Sequence, residues 1–141
     1  MNQALHEQDY DRWLEEQVLL LRERKFIELD IDNLIEELED LGNEQKRAVE
    51  SLVMRTIEHL LYCEYWEVEK ERNINHWRGE IRSFRKQLKR RLTTNLKNHL
   101  ISCWQELCID AKDIAQDKTG LSLPDVIYSL EEVLDENYLP F

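Results

Sequence analysis

Apolar residues recur at intervals of three and four along almost the whole of this chain, and no stretch alternates apolar and polar residues long enough to make a strand. That period places a hydrophobic stripe on one side of a helix and leaves the other side to water. With only 3 Gly and 2 Pro among 141 residues, little interrupts it. The chain is expected to be all-α, a helical bundle of about five helices with a short C-terminal helix, built as one domain over residues 1–141.

Tyr10, Trp13, Leu14, Val18 and Leu21 mark a first amphipathic helix, with Asp9 or Asp11 at its N-cap. Past a hinge at residues 25–29, Asp30 can cap a second helix whose stripe of Ile31, Leu34, Ile35, Leu38 and Leu41 is expected to be buried. A third and most apolar helix runs from Glu44 through Val49, Leu52, Val53, Ile57 and Leu60 to Cys63, and should be central. Between them stands Gly42-Asn43. The heptad phase carries across this pair, which favours one rod and with it a dimer, whereas Gly-Asn also suits a helix end followed by a new cap. Both readings stay open.

Asn73 or Asn75 can cap a fourth helix carried on Trp77, Ile81, Phe84, Leu88 and Leu92, and Thr93-Thr94-Asn95 ends it. A fifth runs from about Asn95 to Lys118 and stops at Thr119-Gly120. Ser129-Leu130-Glu131-Glu132 is a capping-box pattern that opens the short last helix. The apolar tail of Val133, Leu134, Tyr138, Leu139 and Phe141 is expected to lid the bundle.

Charge is unevenly spread. The chain has 30 Asp and Glu against 19 Lys and Arg, net −11, which disfavours nucleic acid and anionic membrane as default partners. Residues 1–69 hold 7 basic and 19 acidic side chains (−12), residues 70–99 hold 10 and 2 (+8), and residues 100–141 hold 2 and 9 (−7). The positive block coincides with the fourth helix, so its first expected use is pairing with acidic helices of the bundle. No apolar run approaches the roughly 20 residues of a membrane span, and no signal or transit segment is visible. The expected location is the cytoplasm, with no membrane partner. Cys63, Cys103 and Cys108 form no CxxC pair and are expected to act as small buried hydrophobes.

At the level of motifs, the run YDRWLEEQVLLLRERKFIELDIDNLIEELEDLG, then HLLYCEYW, then Trp77 with Ile81 and Arg85, then a closing TGL…P…YLP, resembles the family called domain of unknown function twenty-nine. The likeness runs from about Tyr10 to Pro140. It implies an almost entirely helical protein of cyanobacterial or other bacterial type and supplies no activity. Two positions depart from the family pattern: Thr93-Thr94-Asn95-Leu96 replaces a usual Ser-Pro-Ser-Leu, and Cys108 stands where a Tyr is common.

Candidate sites are few. Glu37 and His59 lie at the borders of their apolar stripes, and with Trp77 and Arg85 they make a candidate polar pocket. Arg78, Arg82, Arg85 and Lys89, spaced 4, 3 and 4 apart, form a stripe able to follow a phosphate backbone. No Glu-x-x-His, HExxH, Walker loop, GxGxxG or GxSxG occurs, so no catalytic residue, metal ligand set or cofactor is assigned. Three readings follow: a protein-interaction module acting on a partner protein or as a homodimer, a nucleic-acid-linked protein using residues 78–90, and a metal-binding or catalytic bundle centred on Glu37 and His59.

Overall fold

The computed structural model describes residues 2–140, with side chains from Leu5 onward. All regular structure among these residues is helical: α1 (Asn2–Gln8), α2 (Tyr10–Arg22), α3 (Ile31–Tyr65), α4 (Glu67–Arg91), α5 (Thr94–Ser102), α6 (Trp104–Thr119) and α7 (Leu130–Leu134), with a 3-10 turn at Phe26–Glu28. The all-α expectation holds. Its helix count changes in three places. A helix precedes Tyr10, the expected second and third helices are one, and the expected fifth is two. By its internal contacts the chain divides into two compact units, Met1–Glu44 and Gln45–Phe141.

Within Met1–Glu44, α2 starts on Asp9, whose carboxylate accepts the Arg12 N–H at 3.2 Å. It closes on Arg24 in the left-handed region, φ 58°, with the Lys25 N–H reaching the Leu20 carbonyl and the Arg24 N–H the Leu21 carbonyl. That is a Schellman ending carried by a residue with a Cβ. The core of this unit is small: Trp13 and Gln17 of α2 and Asp30 before α3. The Trp13 indole N–H and the Asn33 amide both donate to Asp30 Oδ2, at 2.9 and 2.8 Å, and the Asp30 N–H donates to Gln17 Oε1 at 2.9 Å. Burial alone would raise the Asp30 pKa, but the bonds from Asn33 and Trp13 outweigh it and the carboxyl is held below its ordinary value.

Helix α3 passes through Gly42 without a break, and a Cβ added there would meet nothing within 4 Å. The unbroken heptad phase outweighed the glycine, whose cost in a helix interior is only about 1 kcal/mol relative to Ala. From Val49 onward this helix supplies much of the core of the Gln45–Phe141 unit, with Val49, Val53, Leu60 and Cys63 fully enclosed. It turns into α4 on the single residue Trp66 (φ −90°, ψ 65°), whose ring stacks on Trp77. Helix α4 therefore begins at Glu67 rather than at Asn73 or Asn75. Asn73 instead spends its amide on the Glu69 carbonyl one turn back, at 2.9 Å.

The break between α5 and α6 falls on Cys103 (φ −117°, ψ 18°). Side chains crowd one carbonyl there. The Ser102 hydroxyl and the Cys103 thiol both donate to His99 O, at 2.6 and 3.3 Å, and the Cys103 N–H turns to Leu100 O instead. Helix α6 ends where expected, on Gly120 at φ 70°. The tail residues Val133, Leu134, Tyr138 and Leu139 pack on the core, while Phe141 lies outside the described residues.

The Ser129 capping box is present in full: Ser129 Oγ accepts the Glu132 N–H at 3.1 Å and Glu132 Oε1 accepts the Ser129 N–H at 2.9 Å. Ser129→Ala should destabilise the chain by about 1 kcal/mol. A thermal melt lowered by about 4–8 °C is the expected reading, and an unchanged midpoint would remove the cap from the stabilising contacts.

Candidate functional site

In the Met1–Glu44 unit most of the stripe expected to be buried on residues 31–41 is open, with Leu34 half-buried. Ile31, Ile35, Leu38 and Leu41 are exposed, as are Val18, Leu19 and Leu21 of α2. Leu38 and Leu41, with Leu14 and Leu34, line a groove of about 290 Å³ between α2 and α3. Carboxylates of Glu37, Asp40 and Glu44 stand on the same walls. Residues 1–44 carry 4 Lys and Arg against 14 Asp and Glu, net −10, whereas residues 45–141 carry 15 against 16, net −1. Nearly all of the protein's net charge thus surrounds this apolar groove.

Glu37 is held in place rather than free. Its Oε2 accepts the Tyr10 hydroxyl at 2.7 Å and its Oε1 lies 2.8 Å from His6 Nε2. These two bonds, Tyr10 first, keep its carboxyl below the ordinary range despite some burial, and the same bond raises the Tyr10 phenol. The partner His6 belongs to α1, the helix that sequence periodicity missed because so little of residues 2–8 is apolar.

The other three members of the candidate polar pocket lie in the second unit, each with its own partners. His59 is half-buried between Tyr62 and Phe84, both with ring centroids at 5.2 Å. Its Nδ1 lies 2.7 Å from the Arg55 carbonyl, which can only accept, so Nδ1 carries the proton. Burial lowers its pKa, disfavouring the imidazolium. Trp77 is buried in the aromatic cluster with Tyr62 and Trp66. Arg85, only 3% exposed, sends Nε to Val133 O at 2.8 Å and Nη2 to Glu132 O at 3.0 Å and Tyr138 O at 2.8 Å. It satisfies the Glu132 and Val133 carbonyls at the end of α7 and the Tyr138 carbonyl beyond it, a structural use of a charge. No hydrogen bond joins any two of Glu37, His59, Trp77 and Arg85.

This placement also divides the basic stripe. Arg78, Arg82 and Lys89 are exposed on α4, and Arg85 is buried. A cavity of about 450 Å³ is walled by Arg78, Arg82, Arg85 and Lys86 on one side and by Glu136 and Asn137 on the other, so three of the four stripe residues border it and Lys89 does not. Interhelical charge pairing, expected of this helix, is found for neither Arg82 nor Lys89 among the described residues.

A third grouping escaped the sequence. Glu50 of α3, His99 of α5 and Cys103 at the α5–α6 break bring one ligand atom each to within 4.8 Å of one another. Glu50 Oε2 lies 2.8 Å from His99 Nε2, and Cys103 Sγ lies 4.0 Å from the same nitrogen. All three are partly exposed. Partial burial and the neighbouring carboxylates of Glu50 and Glu106 raise the Cys103 thiol. The legible part of this signal was His99 and Cys103, four residues apart and so on one helix face. Glu50 is 49 residues earlier, and no spacing rule joins it to them.

Among the described residues no helix is long and apolar enough to cross a membrane. No curated protein and no solved structure matches the chain. The family model described as "Domain of unknown function DUF29" matches residues 5–139, nearly the whole length. The helical content, the motifs and this match agree, and the chain belongs to the DUF29 family.

Proposed function

We propose that the protein is an interaction module and that the groove between α2 and α3 is its docking surface. The observation that carries this reading is the composition of the groove: an apolar floor of Leu14, Leu34, Leu38 and Leu41 under acidic walls, in a unit of net charge −10. Exposed apolar residues clustered within one small unit are the usual mark of a binding face, whereas scattered ones are not. A groove of this kind takes the apolar side of an amphipathic helix, with anchors at i, i+3, i+4 and i+7. The acidic rim selects the charge of that helix. The partner is a protein helix whose stripe is flanked by Lys and Arg; a second copy of the same unit would bring like charge to like charge.

A panel of synthetic amphipathic helical peptides tests this, all with one leucine stripe and with flanks of Lys/Arg, of Gln or of Glu. The basic peptide is expected to bind, to weaken as salt rises, and to lose about 10-fold or more in affinity to the Leu38→Glu variant. Equal binding of all three peptides, or none, would count against the acidic rim as a selector. If light scattering instead finds a dimer that Leu38→Glu dissolves, the occupant is a second copy and the basic-helix reading fails.

A further inference from the structure

We infer that Glu50, His99 and Cys103 form a binding site for a borderline-soft divalent cation, zinc above all. The three donors are a carboxylate oxygen, an imidazole nitrogen and a sulfur, the mixed set that zinc accepts and that magnesium and calcium do not. Tetrahedral zinc at about 2.0–2.1 Å from nitrogen and oxygen and about 2.3 Å from sulfur needs N···O near 3.3 Å and N···S near 3.6 Å. The present separations are 2.8 Å and 4.0 Å, so the carboxylate must back away and the thiol approach by about half an ångström each. Partly exposed side chains can make such shifts, and the exposure leaves an entry path.

Two further observations bear on the site. The chain leaves helical geometry at Cys103, between α5 and α6, and the thiol is bonded back toward the His99 carbonyl, so the sulfur is held on the His99 side. Glu50 also lines a cavity of about 330 Å³ with Glu58 and Arg55, which gives the carboxylate a solvent-facing side. On binding, the thiol releases its proton to solvent, and the His99 proton that now faces Glu50 moves to Nδ1 or is lost. The thiolate and the carboxylate together then balance the two charges of the ion. Three protein ligands leave a fourth position to water, the open coordination found in zinc sites that act on a substrate.

The test uses the full chain stripped of metal and titrated with Zn²⁺ against a chromophoric chelator, with Mg²⁺ in excess to occupy surface carboxylates. One Zn²⁺ per chain is expected. Cys103→Ser and His99→Gln should each weaken it by about 100-fold or more, since loss of an outer partner alone costs 10–100-fold at zinc sites. Cobalt supplies a second readout that does not depend on a variant folding: Co²⁺ added to the unaltered protein should give a thiolate charge-transfer band. That band should survive Cys63→Ala and vanish in Cys103→Ser. Zinc bound equally by the unaltered and Cys103→Ser chains, or a cobalt complex without a thiolate band, would overturn the site.

Discussion

Replacing Arg85 by Met is expected to destabilise the Gln45–Phe141 unit by about 3–5 kcal/mol, because one buried and two partly buried carbonyls lose their charged donor at once. Methionine fills much of the same space, so the loss measures the hydrogen bonds rather than a cavity. The midpoint of thermal unfolding should fall by well over about 10 °C. Arg85→Lys separates charge from shape. A lysine keeps the positive charge but lacks the planar fork that reaches Val133, Glu132 and Tyr138 together, so it should recover only part of the loss. A melt within a degree or two of the parent for Arg85→Met would mean that water satisfies those carbonyls equally well.

The second large effect is expected in the other unit. Trp13 is fully buried and donates to Asp30, which is in turn bonded to Asn33 and Gln17. Trp13→Ala should cost about 3–5 kcal/mol, from lost burial and from a carboxylate left with Asn33 as its one remaining donor. Among the described residues of this unit only three are buried, so the loss should open it locally. Limited proteolysis is the direct measurement, with new cleavage expected within residues 10–44 while α4 to α6 stay protected. Trp13→Phe keeps most of the volume and should fall between. Asp30 adds a pH dependence of known sign: its carboxyl lies below the ordinary value in the folded chain, so its contribution is present above the unfolded pKa and fades as pH falls through the folded one. Cleavage that stays confined to the parent pattern would place the integrity of this unit elsewhere.

How far the sequence could be followed depended on what kind of information each feature needed. Period alone settled the class and the core stretch of α3, since Val49, Leu52, Val53, Thr56, Ile57 and Leu60 are all buried on the face their spacing defines. The same spacing at Ile31, Ile35, Leu38 and Leu41 also defines a face, but a face is not a covering, and these side chains are exposed. Arg85 was grouped with Arg82 and Lys89 by spacing. Its position between Ile81 four residues before and Leu88 three after lies inside the apolar arc of α4, and that was the available sign of its burial. The break at Cys103 left no trace, because Leu100, Cys103, Trp104 and Leu107 keep helical intervals across it. At that break two side chains bond to the His99 carbonyl, a local hydrogen-bond choice that hydropathy does not record. Glu50 joined His99 and Cys103 only through tertiary packing.

The division of charge between the two units has a colloidal consequence. Copies of a protein stay apart in solution largely through their net charge, and residues 45–141, at −1, contribute almost none of it while exposing Ile101, Ile109 and Ile127. The mutual repulsion of the whole chain is supplied by the 14 carboxylates of residues 1–44. The unit that carries the proposed docking groove is therefore also the one that keeps the protein dispersed, and any partner that neutralised it would bring the assembly toward its isoelectric condition.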